Sequence, residues 1–153
     1  MSIDTVFIKQ LLPMVKEDKI EDFVRAFTKM PLQKNAAIKE AEVLRIYGLI
    51  MEWSMIYFGV SDKDIKSTSR LQPIVFIRQV AIYALHNHFN GTISLQKIGL
   101  IFNRDHSTII YANRKCNNAI YDKKIASFLL SLNEYFHERK IYSLDEICKP
   151  LIK

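Results

Sequence analysis

The chain has 153 residues, 49% hydrophobic, 11% aromatic and 25% charged, a mix that fills a core without disulfide or metal staples and excludes a disordered chain. Four glycines, four prolines and two cysteines are too few for a turn-rich all-β protein or a disulfide framework; no signal-peptide pattern opens the sequence, so a cytoplasmic setting is expected. The net charge of +6 is uneven, with eight basic and eight acidic side chains in residues 1–60 but ten basic against three acidic between Lys63 and Lys124, which suits a polyanion partner or a solvated basic face.

Periodicity reads as helical throughout. Asp18 with Glu21 resembles a capping box opening a helix through Phe23, Ala26 and Phe27. A longer helix is expected from Asn35 to Phe58, with Leu44, Tyr47, Leu49 and Met51 among its apolar positions and Gly59 as a left-handed stop. Its most apolar stretch carries Glu52 and falls short of the ~20 residues a membrane span needs, so no membrane is expected. Trp53, Tyr47, Tyr57 and Phe58 are expected in the core rather than in a base-stacking platform, which would need rings exposed beside the positive patch, whereas these lie in the charge-neutral half.

Ser61 and Asp64 can cap a short turn, and Lys66-Ser67-Thr68-Ser69-Arg70 reads as a loop. Pro73 suits the first position of a helix whose stripe is Ile74, Ile77, Ala81, Ala84 and Leu85, ending at Gly91. Ser94 caps a short helix through Ile98 and Phe102. After a turn at Asn103-Arg104, another helix starts near Asp105 with a buried face of Ile109, Ala112 and Cys116. Asp122 can cap a helix through Phe128, Leu132 and Tyr135, and Ser143 with Glu146 forms a last capping box. The expected fold is an all-α bundle.

Residues 94–120, a short helix, a tight turn and a longer helix, have the outline of a helix-turn-helix. In that motif the second helix meets the major groove N-terminus first, and its opening residues here are Asp105, His106, Ser107 and Thr108. An acid can accept from cytosine N4, and hydroxyls or imidazole can meet base edges or phosphates. The plainer reading is that Asp105 only caps the helix. Other signals are weaker. His86 and His88 splay about 200° apart on a helix, wrong for shared chelation. Cys116 falls on a buried face and Cys148 near the C-terminus, so no metal or cofactor is expected. Neighbouring Asp105, His106 and Ser107 cannot form a separated triad, and no catalysis is expected.

Arg78-Gln79-Val80-Ala81, Ser94-Leu95-Gln96-Lys97-Ile98-Gly99 and Arg104-Asp105-His106-Ser107-Thr108-Ile109-Ile110-Tyr111-Ala112 closely resemble the C-terminal duplex-binding domain of the bacterial replication initiator DnaA. The likeness runs from about Val43 to about Tyr121, and the Arg-Asp-His-Ser-Thr run is its most specific part. It implies domains at 1–42, an N-terminal helical extension, and 43–153, a DnaA-like helix-turn-helix domain with C-terminal helices. It also implies base contacts from Arg70, entering the minor groove, and from Asp105, His106 and Ser107 in the major groove. Backbone contacts would come from Arg78, Gln79, Arg104 and Thr108, with Arg114 and Lys115 further along the helix.

Three departures stand out. The loop Ser69-Arg70-Leu71-Gln72 has fewer arginines than is usual in the family, which implies a salt slope shallower by about 0.9 for each phosphate left unneutralised. The turn Phe102-Asn103-Arg104 is one residue short and lacks the usual glycines, although asparagine tolerates left-handed geometry. None of Gly48, Gly59, Gly91 and Gly99 supplies a G-x-x-x-x-G-K-[ST] loop, so a complete ATP-driven initiator is not expected. The resemblance thus implies a stand-alone, sequence-specific binder of double-stranded DNA, a replication or transcription regulator of a bacterium, plasmid or phage, associated with the nucleoid. Residues 1–42 are open to a replication-protein partner or self-association. The competing reading is a protein-interaction or structural module that keeps the DNA-binding fold as a scaffold.

Overall fold

The computed structural model describes residues 34–152, which divide between two compact units at the Leu49–Ile50 step. The helix expected from Asp18 lies outside the described residues, as does most of 1–42. The elements are α1 (Lys34–Phe58), α2 (Asp62–Lys66), α3 (Gln72–His88), α4 (Leu95–Phe102), α5 (His106–Asn117), a 3-10 turn (Ala119–Tyr121), α6 (Lys123–Glu138), α7 (Asp145–Cys148) and a second 3-10 turn (Lys149–Leu151). Among the described residues there is no strand, and the all-α expectation holds. In the first unit Arg45 pairs with Glu42 one turn earlier, at 2.5 Å.

The second unit is organised around α3. Every residue from Ile77 to Leu85 is buried, which marks a helix surrounded on all sides rather than one with a single apolar stripe. It packs against α5 and α6, with α2 and α4 beside it. Pro73 sits at the second helical position, because Leu71 is the N-cap and Gln72 is already helical. The first four amides of a helix have no internal acceptor, so proline is tolerated at either place. Phe102 and Phe136 are fully buried, each contributing about 2 kcal/mol of hydrophobic stabilisation. Trp53 is fully buried as well and its indole N–H donates to Ser131 Oγ at 3.1 Å.

The helix ends follow local chemistry. Gly59, with φ +65°, ends α1, and its N–H donates to the Met55 carbonyl, the left-handed cap that only glycine adopts without strain. The Ser61–Asp64 capping box is complete, with both reciprocal bonds made at 3.0–3.1 Å. Ser94 caps α4 through Lys97 N–H, and Asp122 caps α6 through the amides of Lys124 and Ile125.

Two expectations fail. Ser143 and Glu146 form no capping box: α7 has Leu144 as N-cap without a side-chain bond, and the Ser143 hydroxyl instead meets His88 Nδ1 at 2.6 Å. A four-residue helix gives that hydroxyl little to cap, and the distant imidazole wins it. Tyr57 and Phe58 are 51% and 38% exposed rather than core. They occupy the last turn of α1 and meet Tyr135, Trp53 and Phe128 through edge-to-face ring contacts.

Candidate nucleic-acid interface

Three separate stretches of the second unit line one open cleft: Thr68, Ser69 and Arg70 of the α2–α3 loop; Val75, Arg78, Gln79 and Ile82 of α3; and Asn103, Arg104, Asp105, Thr108, Tyr111 and Ala112 from the α4–α5 turn and α5. Six of the ten expected site residues thus meet there. His106, Ser107, Arg114 and Lys115 lie on α5 outside the lining.

The turn that starts α5 is tight because two residues allow it. Asn103 adopts the left-handed conformation (φ 56°, ψ 48°), as its residue type suggested. Arg104 N–H donates to the Gly99 carbonyl at 2.8 Å, and a Cβ at Gly99 would lie 2.6 Å from the Arg104 carbonyl oxygen. A side chain there would push the two helices apart. Along α5, Ile109, Ala112 and Cys116 turn inward. The 100° step per residue leaves His106, Ser107, Tyr111 and Arg114 exposed on the other side, with Thr108 half-buried on the cleft flank. Lys115 is half-buried, its ammonium 5.5 Å from the Phe76 ring centre, which Lys124 also approaches at 5.9 Å.

Asp105 is both a cap and an exposed acid. Its Oδ1 accepts from Thr108 Oγ1 (2.6 Å), Thr108 N–H (2.9 Å) and Ser107 Oγ (3.1 Å), and these bonds, led by the Thr108 hydroxyl, hold the carboxyl below its usual range. Capping therefore occupies Oδ1 and none of these bonds falls on Oδ2, so the two readings of Asp105 are compatible.

The arginines differ sharply. Arg70 is exposed and makes no hydrogen bond or ion pair among the described residues. Arg78 is only 7% exposed. Its Nε donates to the Ile65 carbonyl at 2.7 Å, and its Nη2 to those of Asp64, Ser67 and Ser69 at 3.2–3.3 Å. Arg104 donates to the carbonyls of Lys66 (3.2 Å), Asn103 (2.9 Å), Ile65 (3.4 Å) and Ser67. Both were expected at phosphates, yet the donors they use turn to their own backbone, to carbonyls at the C-terminal end of α2 and in the loop after it, where helix carbonyls lack intrahelical partners. Burial, then the neighbouring Arg104 charge, brings the Arg78 pKa from 12.5 to about 10, so it stays cationic at neutral pH. Gln79 is buried too, and its Oε1 has no hydrogen-bond partner among the described residues. Tyr111, 55% exposed and lining the cleft, is a candidate site residue that sequence reasoning missed. Its place outside the 109–112–116 stripe was the available signal.

Residues 49–116 match the family described as bacterial dnaA protein helix-turn-helix. They belong to it. The matched segment contains all ten expected site residues and ends inside α5, before α6 and α7. The chromosomal replication initiator protein DnaA of Tropheryma whipplei (strain Twist) is 35% identical over 91 residues, 59% of this chain and 19% of that protein. Its counterpart in Streptococcus agalactiae serotype Ia is 45% identical over 65 residues, 42% of this chain and 14% of that protein. The one in Clavibacter sepedonicus is 36% identical over 76 residues, 49% of this chain and 16% of that protein. The chain therefore spans less than a fifth of the length of these relatives. No solved structure matches it.

Outside the cleft the candidate chemistry is sparse. Burial raises the thiols of Cys116 and Cys148 to about 12 and about 11, which makes both inert near neutral pH. Among the described residues no three His, Cys, Asp or Glu side chains converge, and no helix is long and apolar enough to cross a membrane.

Proposed function

We propose that this chain is a sequence-specific double-stranded DNA-binding protein that regulates replication or transcription by occupying a site, without chemistry of its own. The observation that carries this is the cleft beside the exposed start of α5. Arg70, Arg78 and Arg104 line it against one carboxylate, Asp105, and none of the three makes an ion pair among the described residues. An uncompensated cationic cleft next to a polar helix start is matched to a phosphate backbone flanking a groove.

In this reading α5 enters the major groove, where Asp105, His106 and Ser107 meet base edges, Asp105 through its free Oδ2. Thr108, Gln79, Arg114 and Lys115 serve the backbone. Arg70, unencumbered on its loop, reaches the adjacent minor groove, whose negative potential is deepest over A·T-rich sequence. The relatives are named as chromosomal replication initiators, which supports an A·T-rich site of the kind an initiator marks. The chain does this as a stand-alone protein, with residues 1–42 free to dock a replication protein or a second copy.

Electrophoretic mobility shift on a site selected from a random duplex library tests the proposal. Arg70→Ala and His106→Ala should weaken binding to the selected site more than to random duplex; equal loss on both overturns base reading by these positions. The inward turn of Arg78 and Arg104 favours a second reading, a protein-interaction scaffold short of phosphate contacts. Failure to bind any duplex at moderate salt, together with capture of a defined replication protein, supports that one.

A further inference from the structure

The α2–α3 loop has an unusual method of staying in place. The carbonyls of Asp64, Ile65 and Lys66 in the last turn of α2, and of Ser67 and Ser69 in the loop itself, are held by two guanidinium groups, Arg78 from α3 and Arg104 from the turn immediately before the Asp105 cap. Ile65 and Ser67 accept from both. Buried carbonyls must find donors, and a planar fork of five N–H groups can serve several at once where an ammonium, a single point with three donors, cannot. Two like charges brought together in this way repel each other, a cost that a loop with no positional role would have no reason to carry.

Arg70 directly follows Ser69, the last residue held in this way, and the residue after Arg104 is the cap of α5. We propose that Arg78 and Arg104 are positioning residues, a clamp that fixes the loop so that Arg70 stands at a set distance from the first turn of α5. The clamp rests on the DNA-binding reading for its purpose: it keeps the minor-groove contact in register with the major-groove helix. Without it the cationic charge of the cleft is unaltered, but Arg70 samples many positions and ordering it again opposes specific binding.

The test separates geometry from charge. A Thr68→Cys variant places an exposed thiol on the loop, and a nitroxide label reacts there alone because Cys116 and Cys148 are buried with raised pKa values. In the free protein, adding Arg78→Lys or Arg104→Lys should convert an immobile spectrum into a mobile one. In unlabelled protein the same lysine variants should lower the ratio of specific to random-duplex affinity about tenfold, the scale of one mismatched base pair, while keeping the salt slope. Arg70→Ala should lose the same specificity and leave the label immobile.

An immobile label in both lysine variants overturns the clamp. So does full specificity in both. Should Arg78→Lys fail to fold by circular dichroism, Arg104→Lys, whose side chain is only half-buried, decides the matter. If the unmutated protein binds no duplex, the DNA-binding reading falls with the purpose of the clamp, while the label spectra still decide whether the clamp exists.

Discussion

Two helices in this molecule begin in the same way, and among the described residues one of them opens on a cleft lined by three arginines. Asp105 caps α5 and Asp122 caps α6, each by accepting backbone N–H groups of the first turn, and neither helix has a further acid in that turn. At α6 the cap is followed by two exposed lysines, Lys123 and Lys124, and preceded by the Ala119–Tyr121 turn. At α5 the cap lines a cleft together with a loop bonded by Arg78 and Arg104 and with that loop's Arg70. The lesson is that a capped polar helix start is generic. What distinguishes α5 is a second element, far away in sequence, that brings cations to a defined place beside it.

The sharpest way to break this comparison is to remove a cation from each region. Arg70→Ala should reduce binding to the selected site about 10- to 100-fold, the worth of one good base contact, and reduce random-duplex binding far less. Lys124→Ala, beside the other cap, should weaken both duplexes by the same small factor. Equal behaviour of the two variants in fluorescence anisotropy titrations would mean that the cleft confers nothing beyond charge. A second pair sharpens the contrast by leaving the caps in place. Asparagine caps about as well as aspartate, so Asp105→Asn and Asp122→Asn should both stay folded. Only Asp105→Asn should change which base is preferred, by about tenfold at a single position, because an amide can donate where the carboxylate only accepts. Site selection repeated with each variant measures this.

Much of this was legible in the sequence because it is local. The left-handed stop at Gly59, the capping box at Ser61, the caps at Ser94, Asp105 and Asp122, and the inward stripe of α5 each depend on residues within a few positions of one another. The resemblance on the Arg104–Ala112 run likewise placed the helix-turn-helix correctly. What escaped is non-local. That Arg78 and Arg104 would turn inward depends on carbonyls of residues 64–69, ten or more positions away from most of their partners. Basic side chains next to a recognition helix look the same in a sequence whether they face phosphate or their own backbone. Ser143 failed for a related reason: its distant partner, His88, carries no mark in the sequence near it. Tyr57 and Phe58 were misplaced because apolar composition does not say where a helix runs out of neighbours to pack against.

A smaller effect separates the caps by stability. Asp122→Ala removes the acceptor for Lys124 and Ile125 N–H and should cost about 1 kcal/mol, lowering the thermal midpoint by about 3 °C at this size. Since α6 supplies Ile125, Leu129, Leu132, Tyr135 and Phe136 to the core, this loss should appear in the global transition rather than as local fraying.

The smallest expected effect is a pH dependence at the other cap. The hydrogen bonds from Thr108 and Ser107 hold the Asp105 carboxyl below its ordinary value of 3.8. A group whose pKa is depressed by folding binds fewer protons in the native state, so its contribution is complete above the unfolded value and disappears as pH falls through the native one. The α5 cap should thus persist at neutral and mildly acidic pH and weaken only below about pH 4. Carboxyl carbon chemical shifts followed by NMR would locate the Asp105 midpoint directly. Thr108→Val, which removes the hydroxyl donor but keeps the branched shape, should move that midpoint upward toward the ordinary value. A midpoint unchanged by this substitution would mean that the hydroxyl is not what holds the carboxylate, and that Asp105 is ionised at the mouth of the cleft for some reason other than its own helix.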